Sequence, residues 1–494
     1  MTEPAISGAQ APTAVVLLAA GSGTRMKSTR NKVLHRIGGR SLVGHAIAAA
    51  RGLAPDHLVV VVGNQREQVA AHVGEIDPTS AIAVQEDQKG TGHAVLVGLA
   101  QVPDVEGTVL VSYGDVPLLT TETLASLVEA HSDQGNAATV LTAVLDDPSG
   151  YGRIVRDPDG RVTAIVEEKD ASSGQREVRE VNSGILAFDA AVLRDALERL
   201  DDKNAQGEMY LTDVVAIASG DGGRVGALTT GDLWQCEGVN TRSQLARLGT
   251  ELNRRTLERW MSEGVEVVDP ASTWVDVTVE LAADVSLRPG VQLHGRTTVA
   301  TGAVVGPDST LSDVVVGEGA CVVRTHGSEA VVGAAATVGP FAYLRPGTVL
   351  GGNGKIGTFV ETKNARIAEG AKVPHLSYVG DADIGEGTNI GAGTIFANYD
   401  GVDKHRTKVG RQARTGSHNT FVAPVEIGDG AVTGGGTVVR RNVPPGALAV
   451  STGPQRNIEE WVLRKREGTA SAAAARAALD SDSSTAAANE ETPA

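Results

Sequence analysis

The sequence predicts two unlike folds in one chain, an α/β domain with a largely parallel sheet and then a parallel β-helix, and three observations carry that reading. Short β-branched runs alternate with helical stretches from residue 13 to about 237. From about residue 264 aliphatic residues return every six positions, as in Val332, Val338, Leu344, Leu350 and Ile356. Glycine is abundant, 60 of 494 residues, while aromatics make up only 3%, which suits tight coils and not a helical bundle.

In the first half the strand candidates are AVVLLAA, LVVVVG, TVLVSYGD and ATVLTAVL, with helices at Leu42 to Gly52 and Thr121 to Ser132. Strand, helix and strand at this spacing make a sheet whose loops at the strand C-termini carry the chemistry. From Thr241 to about Glu263 the pattern turns helical, with Leu245, Leu248 and Leu252 on one face and Glu251, Arg254, Arg255 and Glu258 outside it, the pattern of a connecting arm. The predicted units are therefore 1–237, an arm at 238–263, a β-helix at 264–466 and a tail at 467–494.

The six-residue beat recurs in Val299, Val305 and Leu311, in Ile367, Val373 and Val379, and in Ile384, Ile390 and Phe396. Neither a helix nor an ordinary strand has that period. About three hexads make one triangular coil, and stacked coils bury the aliphatic positions. An antiparallel sandwich with Gly-rich turns would alternate with period two. Slips such as Val379 to Ile384 mark corners. Between Phe396 and Ile427 the beat is interrupted by ANYDGVDKHRTKVGRQARTGSHN, which reads as one projecting loop carrying Lys404, Arg406, Lys408, Arg411 and Arg414. After Pro444 and Pro445 the coils end, NIEEWVLRKRE can form a cap, and the Ala-, Ser- and acid-rich remainder is expected to be disordered.

Composition excludes several classes of function. A net charge of -16 argues against a nucleic-acid partner and requires that any phosphate substrate be captured by local cations. Two cysteines, Cys236 and Cys321, rule out a disulfide framework and read as reduced thiols of a cytoplasmic protein. The apolar run Ala14 to Ala20 is short and has no basic flank, so it reads as a strand and not as a signal peptide. No run is long enough to span a membrane.

Two sites stand out. The first strand runs into Gly21-Ser22-Gly23-Thr24-Arg25-Met26, followed by Lys32. Small residues let backbone N–H groups approach phosphate oxygens, and Arg25 and Lys32 supply positive charge. The turn lacks the third glycine of a dinucleotide fingerprint and is not a P-loop. QEDQKGTGHA, with Gln85, Gly90 and Thr91, and VLVSYGDVPLL, with Asp115 just past a buried strand, add to it; a carboxylate there can hold Mg²⁺ against phosphate oxygens. The second site lies in the repeat, where Arg345, Lys363, His375 and Tyr378 recur about one coil apart: two cations for a phosphate and an imidazole able to act as a base, with Asn389, Asn398 and Tyr399 following.

LAAGSGTRM, KVLH, QKGTGHA, YGDVPLL, GYGRI, VEEKDA, VNSGI and EMYLTD together resemble the sugar-1-phosphate nucleotidyltransferases, which implies a Rossmann-like mixed sheet. The resemblance implies that Ala20, Gly21, Gln85, Gly90 and Thr91 hold the uracil and ribose of UTP, that Leu18 and Ala19 belong to the same nucleotide site and that Arg25 and Lys32 face its phosphates. It also implies Asp115 and Asn240 as Mg²⁺ ligands, Gly152, Glu167 and Asn182 around the amino sugar, and Tyr113 among the residues that bind UTP or UDP-N-acetylglucosamine. Asn31 stands where the family usually has Pro, which leaves the loop before Lys32 less rigid, and Met209 stands where an aromatic is common.

The second half resembles the hexapeptide-repeat acyltransferases, and the two halves in this order, from about residue 13 to 466, resemble the bifunctional N-acetylglucosamine-1-phosphate uridylyltransferase/glucosamine-1-phosphate N-acetyltransferases. By that resemblance the β-helix is left-handed and three chains pack side by side, with acetyl-CoA between neighbours. His375 is the catalytic base, Arg345 and Lys363 hold the sugar phosphate, and Tyr378 and Asn389 position the sugar. Asn398 faces the sugar as well as the coenzyme. Ala392, Tyr399, Ser417, Gly435 and Arg440 lie along acetyl-CoA, and Trp461 reaches a neighbouring subunit; Gly435 stands where the family more often has Ala.

Three rival readings differ in class. A nucleotidyltransferase could use its β-helix only to oligomerise or regulate; His375 with Arg345 and Lys363 argues against it. A purely structural solenoid leaves the phosphate cradle and Asp115 unexplained. A zinc hydratase would need three imidazoles to meet, and His326, His375, His405 and His418 are irregularly spaced.

Overall fold

The structure, a computed structural model, describes residues 11–451, 453 and 455–490, with side chains described to residue 481. The first ten residues of the unit predicted at 1–237 and the last four of the tail lie outside the described residues.

Seven strands form the backbone of the first unit: β1 Ala14–Ala19, β2 His57–Val62, β3 Ala81–Val84, β4 Thr108–Tyr113, β5 Ala138–Val144, β6 Glu180–Asp189 and β7 Val225–Thr229. Their spatial order is β7-β5-β6-β4-β1-β2-β3, with β6 antiparallel to both neighbours and the rest parallel. A ribbon of Arg153–Arg156 and Val162–Val166 attaches to β6 and completes nine strands. β1 is central and buried along its whole length, which is why AVVLLA reads as a continuous apolar run without alternation. Helices cover both faces, so two apolar cores flank the sheet.

The second unit is a parallel β-helix. One ladder runs from Glu266–Val267 through Ser286–Leu287, Val304–Val305, Cys321–Val322, Thr337–Val338 and Lys355–Thr358 to Lys372–His375, every pair parallel. Partners such as Cys321 with Thr337 and Glu266 with Ser286 lie one coil apart, and the hexad aliphatics Val332, Val338, Leu344, Leu350 and Ile356 are all buried in one core. Phe396 and Phe421 stack in that core one coil apart, ring centroids 5.0 Å and edge to face. The corners need left-handed backbone, which Asn364 (φ 44°), Leu376 (φ 51°) and Asp381 (φ 49°) adopt; Asp381 is the corner at the Val379 to Ile384 slip.

The helix Arg242–Ser262 joins the two units and does more than connect them. Thr241 and Gln244 form a capping box at its start. Leu248 packs with Met26, Ile37, Leu42, Leu118 and Val239 of the first unit, whereas Leu257 and Trp260 enter the β-helix core. Asn253 closes the first coil: its Nδ2 donates to the Thr273 carbonyl (2.8 Å) and its Oδ1 accepts from Val275 N–H (3.0 Å). Glu251, placed outside by the leucine pattern, is instead 8% exposed, because Arg254 and Arg255 pair with it.

Two expectations about the C-terminal half are corrected. The single long loop is a short hairpin, bridged at Tyr399 and Lys404; the ladder resumes at Thr407–Val409, so Lys408 lies in a strand and Arg411 pairs with Asp429. Charged outward residues alternate with the buried Thr407, Val409, Ala413, Thr415, Asn419 and Phe421 of this coil, which masks its six-residue beat. The expected disordered tail contains a helix, Ala470–Glu490, since alanine has the highest helix propensity and the segment is rich in it. Trp461, in the segment expected to cap the coils, is 41% exposed in the short helix Trp461–Lys465.

Candidate active sites

The first site forms at the C-terminal ends of β1 and β4. β1 delivers Leu18 and Ala19, and the chain continues through Ala20 and Gly21 into a turn with Gly23 at φ 59°. Single-turn helices Thr24–Met26 and Lys32–Leu34 then present Arg25 and Lys32. Asn31, far from loosening this loop, is 1% exposed and tied at both ends of its amide: Oδ1 accepts from Val33 N–H (3.1 Å) and Nδ2 donates to the Asn64 carbonyl (2.8 Å).

Lys32 pairs with Asp115, which follows β4, and its ammonium also lies 3.3 Å from Asn240 Oδ1; Arg25 donates to the same oxygen at 2.9 Å. Asn240 is fixed in turn by Gln244 Oε1, which accepts from the N–H groups of Asn240 (2.9 Å) and Thr241 (3.0 Å). Gly238 keeps space beside Asp115, where a Cβ would lie 3.5 Å from Oδ2. Thus Arg25, Lys32, Asp115 and Asn240, scattered over 216 positions, meet in one cluster of two cations and two hard oxygen donors.

Gln85, Gly90 and Thr91 form a second group on the same side. Gln85 is buried and donates to the Gly90 carbonyl (3.1 Å), and Thr91 Oγ1 accepts from Leu211 N–H (3.0 Å). Gly90 adopts φ 108°, and a Cβ there would lie 2.5 Å from the Met209 carbonyl, so Met209 contributes its backbone. Sequence reasoning missed Gln88, whose Nε2 donates to the Ala20 carbonyl at 2.8 Å and ties this group to the end of β1.

A third group lies between the side ribbon and β6. Glu167 reaches toward Gly152, Asn182 N–H donates to the Gly152 carbonyl (2.9 Å), and Tyr113 packs against Gly184. Burial raises the Glu167 carboxyl above the usual range, opposed by a hydrogen bond from Thr212 Oγ1 (3.2 Å). Burial likewise raises the Tyr113 phenol, with Glu167 and Asp115 adding to it.

The second site occupies one face of the β-helix. His375 ends the strand Lys372–His375 at the left-handed corner of Leu376, and its carbonyl accepts from Ser377 Oγ (2.8 Å) and Gly393 N–H (3.2 Å). The strand Tyr378–Ile384 leads from that corner across the face to the next corner at Asp381. Arg345, Lys363 and Gly380 follow each other in successive coils, since Arg345 N–H bonds the Thr362 carbonyl and Lys363 pairs with Gly380. Gly380 is bare because the Tyr378 hydroxyl and the Asn398 amide lie over it, 2.3 and 2.7 Å from where its Cβ would be. Lys404 abuts Lys363 and, with Arg345, lowers its ammonium from the usual range. His375 therefore does not stack above the two cations, as a simple one-coil spacing implies; it sits at the corner, and the cations flank the other end of the face.

Along the His375 corner the backbone links successive coils: Gly393 to His375, His418 to Ala392, and Gly436 to Ser417. Ala392, Ser417 and Gly435 therefore line up beyond His375. Asn389 bridges to Lys372 and Arg414, one strand before this corner. Tyr399, whose hydroxyl donates to the Gly401 carbonyl (2.7 Å), and Arg440 are exposed and meet none of these side chains among the described residues. Among the described residues no three His, Cys, Asp or Glu side chains form a metal cluster, so His326, His375, His405 and His418 do not gather within the chain.

Comparison with known proteins closes the argument. Residues 15–209, which hold all of the sheet but its last strand, match the MobA-like NTP transferase domain. Over nearly the whole chain the protein is similar to curated proteins named "Bifunctional protein GlmU". That of Kineococcus radiotolerans is 60% identical, covering 98% of each chain. That of Pseudarthrobacter chlorophenolicus is 59% identical over 97% of this chain and 98% of its own, and that of Corynebacterium aurimucosum 57% over 94% and 97%. Identity of this degree spanning both folds and both sites shows that the chain belongs to the bifunctional GlmU family, enzymes with a uridylyltransferase and an acetyltransferase activity on one polypeptide.

Proposed function

We propose that the chain makes UDP-N-acetylglucosamine in two steps, acetylating glucosamine-1-phosphate on the β-helix and then uridylylating the product on the sheet. The observation that carries this reading over a single-activity enzyme is the second site: a base at one corner of a β-helix face and two cations at the other, a span suited to a sugar phosphate.

At the β-helix, Arg345 and Lys363 hold the phosphate, and Tyr378, Asn389 and Asn398 orient the ring. His375 takes a proton from the amine as its nitrogen attacks the acetyl thioester; the thiol of coenzyme A leaves. The coenzyme runs along Ala392, Ser417 and Gly435, with Tyr399 and Arg440 farther out.

At the sheet, Gln85, Gly90 and Thr91 take the uridine with the end of β1, while Gly152, Glu167 and Asn182 take the amino sugar. Arg25 and Lys32 align and neutralise the phosphates as the sugar phosphate oxygen attacks the α-phosphorus and pyrophosphate leaves. No protein nucleophile is needed. The carboxylate of Asp115 and amide oxygen of Asn240 fit a hard cation, and Gly238 leaves room beside them, so these two residues would hold Mg²⁺. When bound, it supplies further neutralisation of the charge that develops on the phosphate oxygens.

The enzyme is cytoplasmic and works as a homotrimer of left-handed β-helices, in this reading. Phe341, Phe359 and Leu376, 53, 59 and 59% exposed, form an apolar ridge on the His375 corner that a neighbouring chain would cover. Among the described residues no helix is long and apolar enough to cross a membrane.

The two clusters share no residue. His375→Ala is therefore expected to abolish acetyl transfer and leave uridylyl transfer, and Asp115→Ala to do the reverse. Loss of both activities in either folded variant would refute the assignment.

A further inference from the structure

One ionised group on the acetyltransferase face has no role in the steps above. Asp381 is 9% exposed at the corner that ends the face. Its Oδ1 accepts from Asn364 Nδ2 (2.6 Å) and its Oδ2 from Asn398 Nδ2 (2.5 Å). Asn364, Asp381 and Asn398 are 17 residues apart in turn and stack in three successive coils. Burial works against the charge on Asp381, but the two amide hydrogen bonds, with Lys363 and Lys404 nearby, outweigh it and hold the carboxyl below its usual range.

The turn itself does not require a carboxylate. One coil earlier the same corner is Asn364, with nearly the same backbone angle, φ 44° against 49°. Asparagine adopts this conformation as readily as aspartate. Nor is a buried charge by itself a stabilising device. What a carboxylate supplies that an amide cannot is two oxygens that only accept. It obliges both neighbouring amides to donate, which fixes which way round each one points.

We infer that Asp381 is a positioning residue for acetyl transfer: it locks the Asn398 amide with its nitrogen inward, so that Oδ1 faces the substrate as an acceptor for the sugar's N–H or O–H groups. No hydrogen bond to that oxygen exists among the described residues. The inference rests on the acetyltransferase reading of this face. It also assigns a direction to the charge effect, because a negative group beside Lys363 and Lys404 weakens their hold on a phosphate.

The test is Asp381→Asn in the full-length protein, with steady-state kinetics of both activities. The variant presents one oxygen and one N–H₂ group in place of two oxygens, so the amide that faces the N–H₂ group loses its acceptor and turns over. Acetyl transfer should lose kcat on the order of tenfold, the value of a hydrogen bond lost at the reacting substrate. KM for glucosamine-1-phosphate should stay level or fall, and uridylyl transfer should not change. A merely structural residue would raise KM, or reduce both activities with stability. Unchanged kcat, or a raised KM at unchanged kcat, overturns the inference. Adding Asp381→Asn to Asn398→Ala should lower kcat no further, since the first acts through the second; additive losses also overturn it. Asn398→Ala alone separates the two levels of the argument. If it leaves acetyl transfer intact, the reading of the face is wrong. If it impairs acetyl transfer while Asp381→Asn does not, only the role of Asp381 falls.

Discussion

Asn253→Ala tests whether the connecting helix is the cap of the β-helix. Asn253 is 8% exposed and bonds both the Thr273 carbonyl and the Val275 N–H, peptide groups at the strand Trp274–Val275 of the first coil. Alanine removes both partners at once. A buried polar group left without a partner costs about 1 to 3 kcal/mol, so the pair amounts to about 2 to 6 kcal/mol. The side chain borders a cavity of about 310 Å³ between the helix, Gly38 and the first coils, and water entering there can satisfy part of the loss. The expected destabilisation is therefore in the lower half, about 2 to 4 kcal/mol. Urea unfolding followed by tryptophan fluorescence reads it directly, because Trp260 and Trp274 lie at this junction. Asn253→Asp keeps the acceptor for Val275 but sets a carboxylate against the Thr273 carbonyl, and should fall no better than midway. A loss below about 1 kcal/mol for the alanine variant would refute the cap, since it would mean that neither hydrogen bond is buried enough to matter.

Other consequences follow from the same geometry. Lys32→Met removes the cation shared by Asp115 and Asn240 and should lower uridylyl transfer by on the order of 100-fold or more, with acetyl transfer unchanged, measured as pyrophosphate and thiol release. Glu167 has its carboxyl raised by burial, so the folded protein holds that proton more tightly than the unfolded chain does. Its contribution to stability is full below the unfolded value and is lost as pH rises through the folded value; Glu167→Gln should abolish that slope in melting temperature against pH while raising KM for N-acetylglucosamine-1-phosphate. Gly380→Ala places a methyl group 2.3 Å from the present position of the Tyr378 hydroxyl, which must swing away. Acetyl transfer should fall with little change in melting temperature, and an unaffected kcat/KM would show that Tyr378 does not serve the sugar.

The sequence made both folds legible because their patterns are periodic in ways only those folds produce. A six-residue beat needs triangular coils, and an unbroken AVVLLA needs a strand covered on both faces. The phosphate cluster was legible in its residue types, and the structure adds that Lys32, Asp115 and Asn240 meet. What escaped was set by contacts with no local signal. Glu251 is buried only because two arginines pair with it, and Asn31 stiffens its loop through Asn64, far along the chain. The coil at Thr407–Val409 was hidden because its outward positions are charged. Asp381 is the instructive miss: Asn364, Asp381 and Asn398 recur at a constant 17 residues, but Asn and Asp are ordinary turn residues, and nothing local distinguishes a hydrogen-bonded stack of them from simple corners.

The measurement that bears most directly on the central claim is a single reaction of the purified full-length protein with Mg²⁺, UTP, acetyl-CoA and glucosamine-1-phosphate, with free thiol and pyrophosphate followed separately. Two activities in sequence predict that thiol appears first and that pyrophosphate release depends on acetyl-CoA. Pyrophosphate without thiol would contradict the account: the β-helix would then be a scaffold, and His375 would not be a catalytic base.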